Sequence, residues 1–412
     1  MSRLSRRPAD VLGGLFRSKS IGAGMGFAFS GAAFTLGNLL LAREMPKLEF
    51  GRVALALAVY TVVTALGPFG MDQMLLRRRI DPSPALLGRM TLISIAIAAI
   101  TTWAVALLYT MPVAPAVLLA VAVAAGSVSR TGSMGLRTNG WMLLPLIVAG
   151  NSSWAILAVG LVGLALALPT ATAPIAVLAA SAIIAAAVSW IPLVRRYRIE
   201  SADQERVPRG EALSLTVVAV AGVLVVQIER FVIPQVLNLS ALATYAVIAS
   251  VAIFPFRLMR SGTSFALVPD LRAASDLAAR RALLASEGRA LLGMLSLATL
   301  VVTLAAPPVA ALLTRGRYQL DTLLVLAACF NGAVKLFESL PRSAVTACGT
   351  SREIAWLGWM GGLSIAATVI GAWIGARWGL TGLIFGGALA SLIGNIPAAQ
   401  LGRRVVARGY IG

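Results

Sequence analysis

The sequence predicts an all-α polytopic membrane protein in which twelve transmembrane helices form two six-helix bundles, related by a pseudo-twofold axis along the membrane normal. Hydrophobic residues make up 58% of the 412 positions and the mean hydropathy is +0.87, which excludes an ordinary soluble domain. Apolar stretches of about 20 residues, the length at which a helix crosses the hydrocarbon core, recur along the whole chain. The stretches cover residues 21–41, 51–71, 87–109, 113–129, 141–168, 174–194, 213–236, 241–267, 290–313, 322–340, 354–376 and 379–400.

The gaps between these stretches predict an orientation, because lysine and arginine concentrate in every second gap. With a cytoplasmic N-terminus, 27 of the 35 cations fall on the inner side and six on the outer side. The outer six are Arg43, Lys47, Arg52, Arg315, Arg317 and Arg377. Both termini are therefore expected to be cytoplasmic. The same asymmetry, together with anionic lipid, accounts for the net charge of +19, so no nucleic-acid partner is expected.

The chain divides into two halves at its most polar tract, RRYRIESADQERVPR. We expect a cytoplasmic amphipathic segment at 1–20, an N-terminal bundle at 21–194, a cytoplasmic linker at 195–212, a C-terminal bundle at 213–400 and a cytoplasmic tail at 401–412. A shift of 192 residues aligns 41–59 with 233–251 without a gap, which indicates an internal repeat. Because each half holds an even number of spans, the two halves keep one orientation.

Several classes of function are disfavoured by composition. Histidine is absent, Cys329 and Cys348 are the only cysteines, and there is no phosphate-binding loop of the G-x-x-x-x-G-K-[ST] type. The gaps reach only about 20 residues, too short for a soluble catalytic domain. The sequence therefore predicts no enzyme, no metal site and no cofactor, with any energy supplied by a proton or sodium gradient or by the substrate itself.

Small residues and prolines mark places where helices touch or bend. Glycine pairs at a spacing of four permit close helix approach. The pairs are Gly22 and Gly26, Gly358 and Gly362, Gly371 and Gly375, and Gly382 and Gly386. Pro255, near the middle of its span, is a candidate hinge because proline removes a backbone hydrogen bond.

Ionisable side chains inside the predicted spans are the candidate functional residues, since each costs at least about 2.5 kcal/mol at the bilayer centre unless it has a partner or lines a wet cavity. The seventh span carries Gln227, Glu229 and Arg230. The tenth carries Asn331, Lys335, Glu338 and Arg342 on one helical stripe, and the eighth carries Arg257, Arg260, Ser261 and Ser264 near its inner end. Three polar stripes in one half predict a hydrated, cation-rich cleft.

Two interpretations of these residues stay open at this point. In the first, Arg230, Lys335, Arg257 and Arg260 bind an anion such as a phosphate or diphosphate head group, while Glu229 and Glu338 accept protons or a sodium ion and Gln227 and Asn331 line the cavity. In the second, Lys335 with Glu338 and Glu229 with Arg230 are structural ion pairs. For Arg257 and Arg260 the simpler alternative is snorkelling towards the inner interface.

Two stretches resemble bacterial polysaccharide flippases of the multidrug/oligosaccharidyl-lipid/polysaccharide exporter superfamily. LAREMPKLEFGRVALALAVYTVVTALGPFGMDQMLLRR (41–78) is similar to their first hairpin, and VQIERFVIPQVLNLSALATYAVIASV (226–251) to their seventh and eighth spans. The chain departs from the pattern at Glu229, where Asp is usual, and at Met45-Pro46-Lys47, where Leu-Gly-Pro is usual. Twelve spans rather than fourteen separate it from the peptidoglycan-precursor branch.

The resemblance implies translocation of an undecaprenyl-diphosphate-linked oligosaccharide across the bacterial inner membrane. Implied partners are the lipid-linked substrate, membrane lipid, and polymerase and chain-length components of a polysaccharide pathway. The alternative is an ion-coupled multidrug antiporter of the same superfamily, but the net basic stripes and 7% aromatic content fit cationic drugs poorly. A membrane-embedded polymerase or acyltransferase is a third possibility, without the large loop or catalytic histidine that such enzymes display.

Overall fold

A computed structural model describes residues 19–71, 83–139, 141, 143–197, 209–274 and 276–408. Within these ranges the chain is almost entirely helical and has no β-strand. Most of the predicted N-terminal amphipathic segment, most of the linker and the last four residues lie outside them. Many large apolar side chains, such as Leu92, Trp103 and Trp359, are more than 60% exposed, as expected for a surface that faces lipid.

Seven helices form the described part of the N-terminal bundle. They are α1 (Lys19–Glu44), α2 (Lys47–Leu66), α3 (Pro84–Leu108), α4 (Val113–Thr138), α5 (Leu143–Ala149), α6 (Asn151–Gly163) and α7 (Thr172–Tyr197). α1 packs on α6, and α4 packs on both α3 and α7. α5 and α6 meet at a 53° bend and together cover the predicted fifth span.

In the described part of the C-terminal bundle there are nine α-helices, because three of its predicted spans are interrupted. They are α8 (Arg209–Val236), α9 (Leu239–Ile248), α10 (Phe254–Ala273), α11 (Leu277–Leu313), α12 (Thr322–Phe337), α13 (Ser339–Cys348), α14 (Ser351–Gly375), α15 (Gly379–Gly394) and α16 (Ile396–Arg408). A π-helical turn, Ala249–Ile253, joins α9 to α10 immediately before Pro255. This irregularity fits the missing proline N–H, which leaves a carbonyl in the preceding turn without its helical partner.

Each of the twelve predicted stretches lies on a helix or on consecutive helices, but their boundaries shift. α4 continues nine residues past its predicted end, and α11 begins at Leu277 rather than at 290, capped by the Asp276 side chain. In the described residues, nine helical segments are long and apolar enough to cross a membrane, or ten if the bent pair counts as one. One of them, Ser351–Arg408, contains both predicted spans eleven and twelve. The chain is a multi-pass membrane protein, and the count of twelve stays a prediction.

The internal repeat is visible in the backbone. α1 and α8 end 192 residues apart, at Glu44 and Val236, and α2 and α9 begin 192 residues apart. The turns after α3 and α11 are also alike: Thr110 and Arg315 have φ of 47° and 52°. In each turn a backbone N–H donates a hydrogen bond to the carbonyl oxygen five residues earlier. The bond from Met111 to Ala106 is 2.9 Å long, and that from Gly316 to Ala311 is 2.7 Å long. These are Schellman-type helix ends.

The bundles meet where α2 packs against α9 and α8. Gly51 of α2 is required at this contact, because a Cβ there would lie 2.1 Å from the carbonyl oxygen of Leu239. Buried residues line nearly the whole length of α2. The repeat-related helices α2 and α9 therefore form the centre of the interface between the two halves.

Glycines bring α14 and α15 into backbone contact, as the spacing predicts. A Cβ on Gly375 would lie 2.1 Å from the carbonyl oxygen of Gly382, and one on Gly371 would lie 2.4 Å from that of Gly386. Gly362 on the same helix meets nothing within 4 Å. Only some of the predicted pairs are therefore used for close packing.

The Gly375→Ala variant is expected to lose about 1–3 kcal/mol of stability, because the added methyl group pushes two backbones apart. The Gly362→Ala variant is the matched control and should be neutral or slightly stabilising, since alanine favours a helix. The apparent melting temperature of the purified variants in detergent measures both effects. Equal melting temperatures would contradict the packing described here.

Candidate functional site

A buried ion pair joins α8 to α12 inside the C-terminal bundle. The Lys335 ammonium donates to Glu229 Oε1 at 2.6 Å, and the Asn331 amide donates to the same oxygen at 2.9 Å. Glu229 and Lys335 are only 1% and 4% exposed. The spacing of four on α12 places Asn331 and Lys335 on one face, and that face meets α8 at Glu229.

The pairing differs from both ion pairs considered from the sequence. Glu229 does not pair with Arg230, because adjacent residues on a helix point about 100° apart. Lys335 does not pair with Glu338, whose carboxylate instead lies near Arg342. Residues separated by more than 100 positions decide the partners, and local spacing could not reveal this.

The arginines lie around this pair. Arg230 is 2% exposed, and its electrostatic neighbours are Arg257, Tyr245 and Glu229. The half-buried Arg257 donates from Nη2 to the carbonyl oxygen of Val226 at 3.3 Å. Arg260 is also half-buried, and its neighbours are Arg342, Glu338 and Arg257. The four predicted anion-binding residues therefore belong to one electrostatically connected group.

Glu338 forms a second polar centre where two helices break. It lies between α12 and α13, and Asn395 lies between α15 and α16. Glu338 Oε1 accepts a hydrogen bond from Ser391 at 2.6 Å and another from Asn395. The Asn395 amide also donates to Ser364 at 2.8 Å, and Arg342 Nη2 lies 3.7 Å from Glu338 Oε2. All four residues other than Arg342 are less than 9% exposed.

The sequence interpretation missed Tyr245, Ser364, Ser391 and Asn395. The last two are four residues apart in the final span, and this spacing could have marked a polar stripe like that of α12. Neutral polar residues are common in membrane helices, so a serine or asparagine alone gives little signal. Tyr245 looked like one more apolar residue, yet it is fully buried beside Glu229 and Arg230.

Several buried polar atoms in this cluster have no hydrogen-bond partner among the described residues. They include Gln227 Oε1, Arg230 Nε and Asn331 Oδ1. Leaving such an atom unpaired costs about 1–3 kcal/mol. A site of this kind is suited to a polar ligand or to water. Gln227 and Asn331 are both buried among these polar side chains.

The N-terminal bundle has a different interior. Its buried polar side chains in the described residues are hydroxyls and amides, with no buried charge among them. Tyr60, for example, donates to the side-chain oxygen of Asn151 at 3.3 Å. Among the described residues, the strongly basic interior therefore belongs to the C-terminal half. The described residues of the chain contain no group of His, Cys, Asp or Glu that could hold a metal ion.

A profile of the family described as polysaccharide biosynthesis protein matches residues 40–318. The chain belongs to this family. No curated protein sequence gives a significant match. Among solved structures, the lipid II flippase MurJ in an inward closed conformation is similar with a TM-score of 0.68 and 10% identity, covering 94% of this chain and 90% of MurJ.

Other similar structures are transporters. One from the MOP superfamily of Pyrococcus furiosus has a TM-score of 0.62 at 14% identity, with 94% of each chain covered. A mutant of the Vibrio cholerae MATE transporter VcmN has a TM-score of 0.52 at 17% identity, covering 95% of this chain and 99% of VcmN. The predicted fold class is thereby confirmed: this member of the polysaccharide biosynthesis protein family has the fold of the exporter superfamily.

Proposed function

We propose that the chain is a flippase that moves an undecaprenyl-diphosphate-linked oligosaccharide across the bacterial inner membrane, for polysaccharide biosynthesis and export. It works by alternating access between the two bundles. The observation that carries this proposal is the charge of the buried and half-buried cluster, in which five cations oppose the carboxylates of Glu229 and Glu338. The cations are Arg230, Arg257, Arg260, Lys335 and Arg342.

A diphosphate suits this cluster better than a cationic drug does. Arginine binds phosphate oxygens through two parallel N–H groups, and these bonds are charge-assisted. Arg230 is the principal ligand in this proposal, because it is central, buried and has an unpartnered Nε. Arg257 and Arg260 hold the second phosphate. An excess of three positive charges would repel cationic drugs, which disfavours the multidrug antiporter.

Lys335 has a conditional role in the proposal, since Glu229 already holds its ammonium. Protonation of Glu229, or competition from the diphosphate, would release Lys335 to the substrate. Glu338 is the second candidate for coupling to H⁺ or Na⁺, because it sits at coincident helix breaks, a recurring position for ion sites in transporters. Both termini are cytoplasmic in this proposal, and a polymerase and chain-length regulator would act on the delivered substrate.

Ligand binding tests the proposal directly. Undecaprenyl diphosphate is expected to raise the apparent melting temperature of the purified chain, because a ligand that binds only the folded state stabilises it. Undecaprenyl phosphate, with one phosphate fewer, should stabilise less, and the Arg257→Ala variant should respond less to the diphosphate. The control is Arg289→Ala, which replaces an exposed arginine of α11 and should respond like the parent.

The antiporter alternative makes the opposite prediction. A stabilising response to cationic dyes with none to the diphosphate lipid would reject the flippase assignment. Resistance of expressing cells to such dyes would support the same conclusion.

A further inference from the structure

Turns from each bundle contact the other bundle at the predicted outer face. The first contact, latch A, joins the turn at residues 314–321 to the α1–α2 turn. Arg317 Nη1 donates to the carbonyl oxygens of Arg43 at 2.8 Å and Met45 at 3.0 Å. These carbonyls lie at the C-terminal end of α1, where a helix has unpaired acceptors and partial negative charge. The Arg317 guanidinium thus caps a helix of the opposite bundle.

Further contacts reinforce latch A. Arg315 lies 3.7 Å from the Glu44 carboxylate. The Lys47 ammonium lies 5.1 Å from the centroid of the Tyr318 ring. The Phe50 and Tyr318 rings pack in a T-shaped arrangement, with their centroids 6.4 Å apart. Tyr318 is 1% exposed, so its side chain is buried where the turn contacts the N-terminal bundle.

The second contact, latch B, is made by the repeat-related elements. The turn at residues 109–112 of the N-terminal bundle meets the last two turns of α8. Tyr109 Oη donates to the carbonyl oxygen of Phe231 at 2.7 Å, and the Gln235 amide donates to that of Leu108 at 3.2 Å. The internal repeat that relates the two bundles also relates the two latches, because α8 corresponds to α1 and the turn after α3 corresponds to the turn after α11.

The rare outer cations have a role in this arrangement. Of the six cations that the orientation places outside, Arg43 lies in the last turn of α1, Lys47 and Arg52 lie in the first turns of α2, and Arg315 and Arg317 lie in the turn at residues 314–321. The sixth, Arg377, is on the turn between α14 and α15 and has no ion pair or hydrogen bond to the N-terminal bundle in the part of the chain that the structure describes. Arg315, Arg317 and Lys47 thus contact the opposite bundle, whereas Arg43 and Arg52 pair with Glu44 and Glu49 of their own bundle.

We propose that latches A and B hold the two bundles together at the predicted outer face and that both must release before this face opens. This inference rests on the alternating-access part of the proposed function and is independent of which molecule is carried. Latch A is the stronger of the two, because a charged donor bonds two carbonyls, whereas the Tyr109 bond is neutral.

Thiol labelling tests the latches. The reporter is Ala54→Cys, in a chain whose two native cysteines are alanine. Ala54 is 0% exposed and lies one turn from Gly51 on the same face of α2, at the bundle interface. The purified chain is placed in lipid nanodiscs, and the rate of reaction with a charged maleimide is measured. Both faces are accessible in a nanodisc, so the outcome does not depend on the predicted orientation.

The parent is expected to react slowly, Arg317→Ala about ten times faster, and Tyr109→Phe about three times faster, because each substitution removes bonds present only in the closed face. The double variant should react at least as fast as the product of the two effects. Arg377→Ala, the matched outer arginine, should react like the parent. If Arg317→Ala fails to insert, Arg317→Lys keeps the charge but cannot reproduce both bonds and should still accelerate labelling.

A double variant that reacts at the parent rate would overturn the latches. The assay contains no substrate, so a chain that carries some other molecule would still give the expected pattern. Failure of the latches and failure of the substrate assignment are therefore distinguishable.

Discussion

Loss of surface polysaccharide is the expected result of replacing Arg230 with alanine. The guanidinium is buried at the centre of the cationic cluster, and each charge-assisted bond to a phosphate contributes about 1.5–3 kcal/mol. Removing a bidentate contact should therefore weaken diphosphate binding by roughly 100-fold or more. Polysaccharide output of cells that rely on this chain measures the effect, with membrane insertion checked in parallel by quantifying the protein.

The Arg230→Lys variant separates charge from geometry. Lysine keeps the positive charge but cannot bind in a fork, so we expect it to recover only part of the activity. Arg289→Ala, an exposed arginine on α11, should leave output unchanged. Normal polysaccharide from a properly inserted Arg230→Ala protein would reject Arg230 as the principal phosphate ligand.

Breaking the Glu229–Lys335 pair is expected to give the largest loss of stability. The Glu229→Gln variant leaves the Lys335 ammonium buried without its counter-charge, at a cost of about 3–5 kcal/mol. The Lys335→Met variant leaves the carboxylate unpaired with a similar expected cost. Melting temperatures of the purified variants in detergent provide the measurement.

The double variant decides between structure and function for this pair. Glu229→Gln with Lys335→Met removes both charges together, so most of the lost stability should return. If the pair also takes part in transport, the stable double variant will still fail to deliver polysaccharide. A double variant that is both stable and fully active would reduce the pair to a structural contact, whereas additive losses of stability would show that the two residues are not coupled.

Much of the architecture could be predicted because the membrane constrains it strongly. Span length and the 192-residue repeat located the helices, and the matched helix ends at Glu44 and Val236 agree with the repeat. Boundaries were less predictable, since α4 and α11 extend beyond the apolar stretch into a more polar sequence. The breaks at Glu338 and Asn395 were missed although Pro341, Gly394 and Pro397 lie close to them, because glycine and proline also occur within uninterrupted membrane helices.

The sequence predicted which ionisable residues belong to the candidate site, but not which of them pair with each other. Placing an ionisable residue inside a membrane span costs free energy, so such a residue stands out in the sequence. Glu229, Arg230, Lys335 and Glu338 could be chosen on this ground. Their partners depend on how α8, α12 and α15 are placed in space, which no local spacing encodes. Latch A shows the same limit: Arg317 looked like an ordinary outer-loop cation until its bonds to the end of α1 were seen.

Transfer of a labelled lipid-linked oligosaccharide between leaflets of proteoliposomes tests the central claim, that the basic interior of the C-terminal bundle carries a diphosphate lipid across the membrane. A fluorescent undecaprenyl-diphosphate oligosaccharide is placed in both leaflets, and a membrane-impermeant quencher reports how much becomes accessible over time. Liposomes with the parent chain should expose nearly all of the lipid, and those with Arg230→Ala should match protein-free liposomes. Equal transfer by the parent and Arg230→Ala, or none above the protein-free rate by the parent, would contradict the claim.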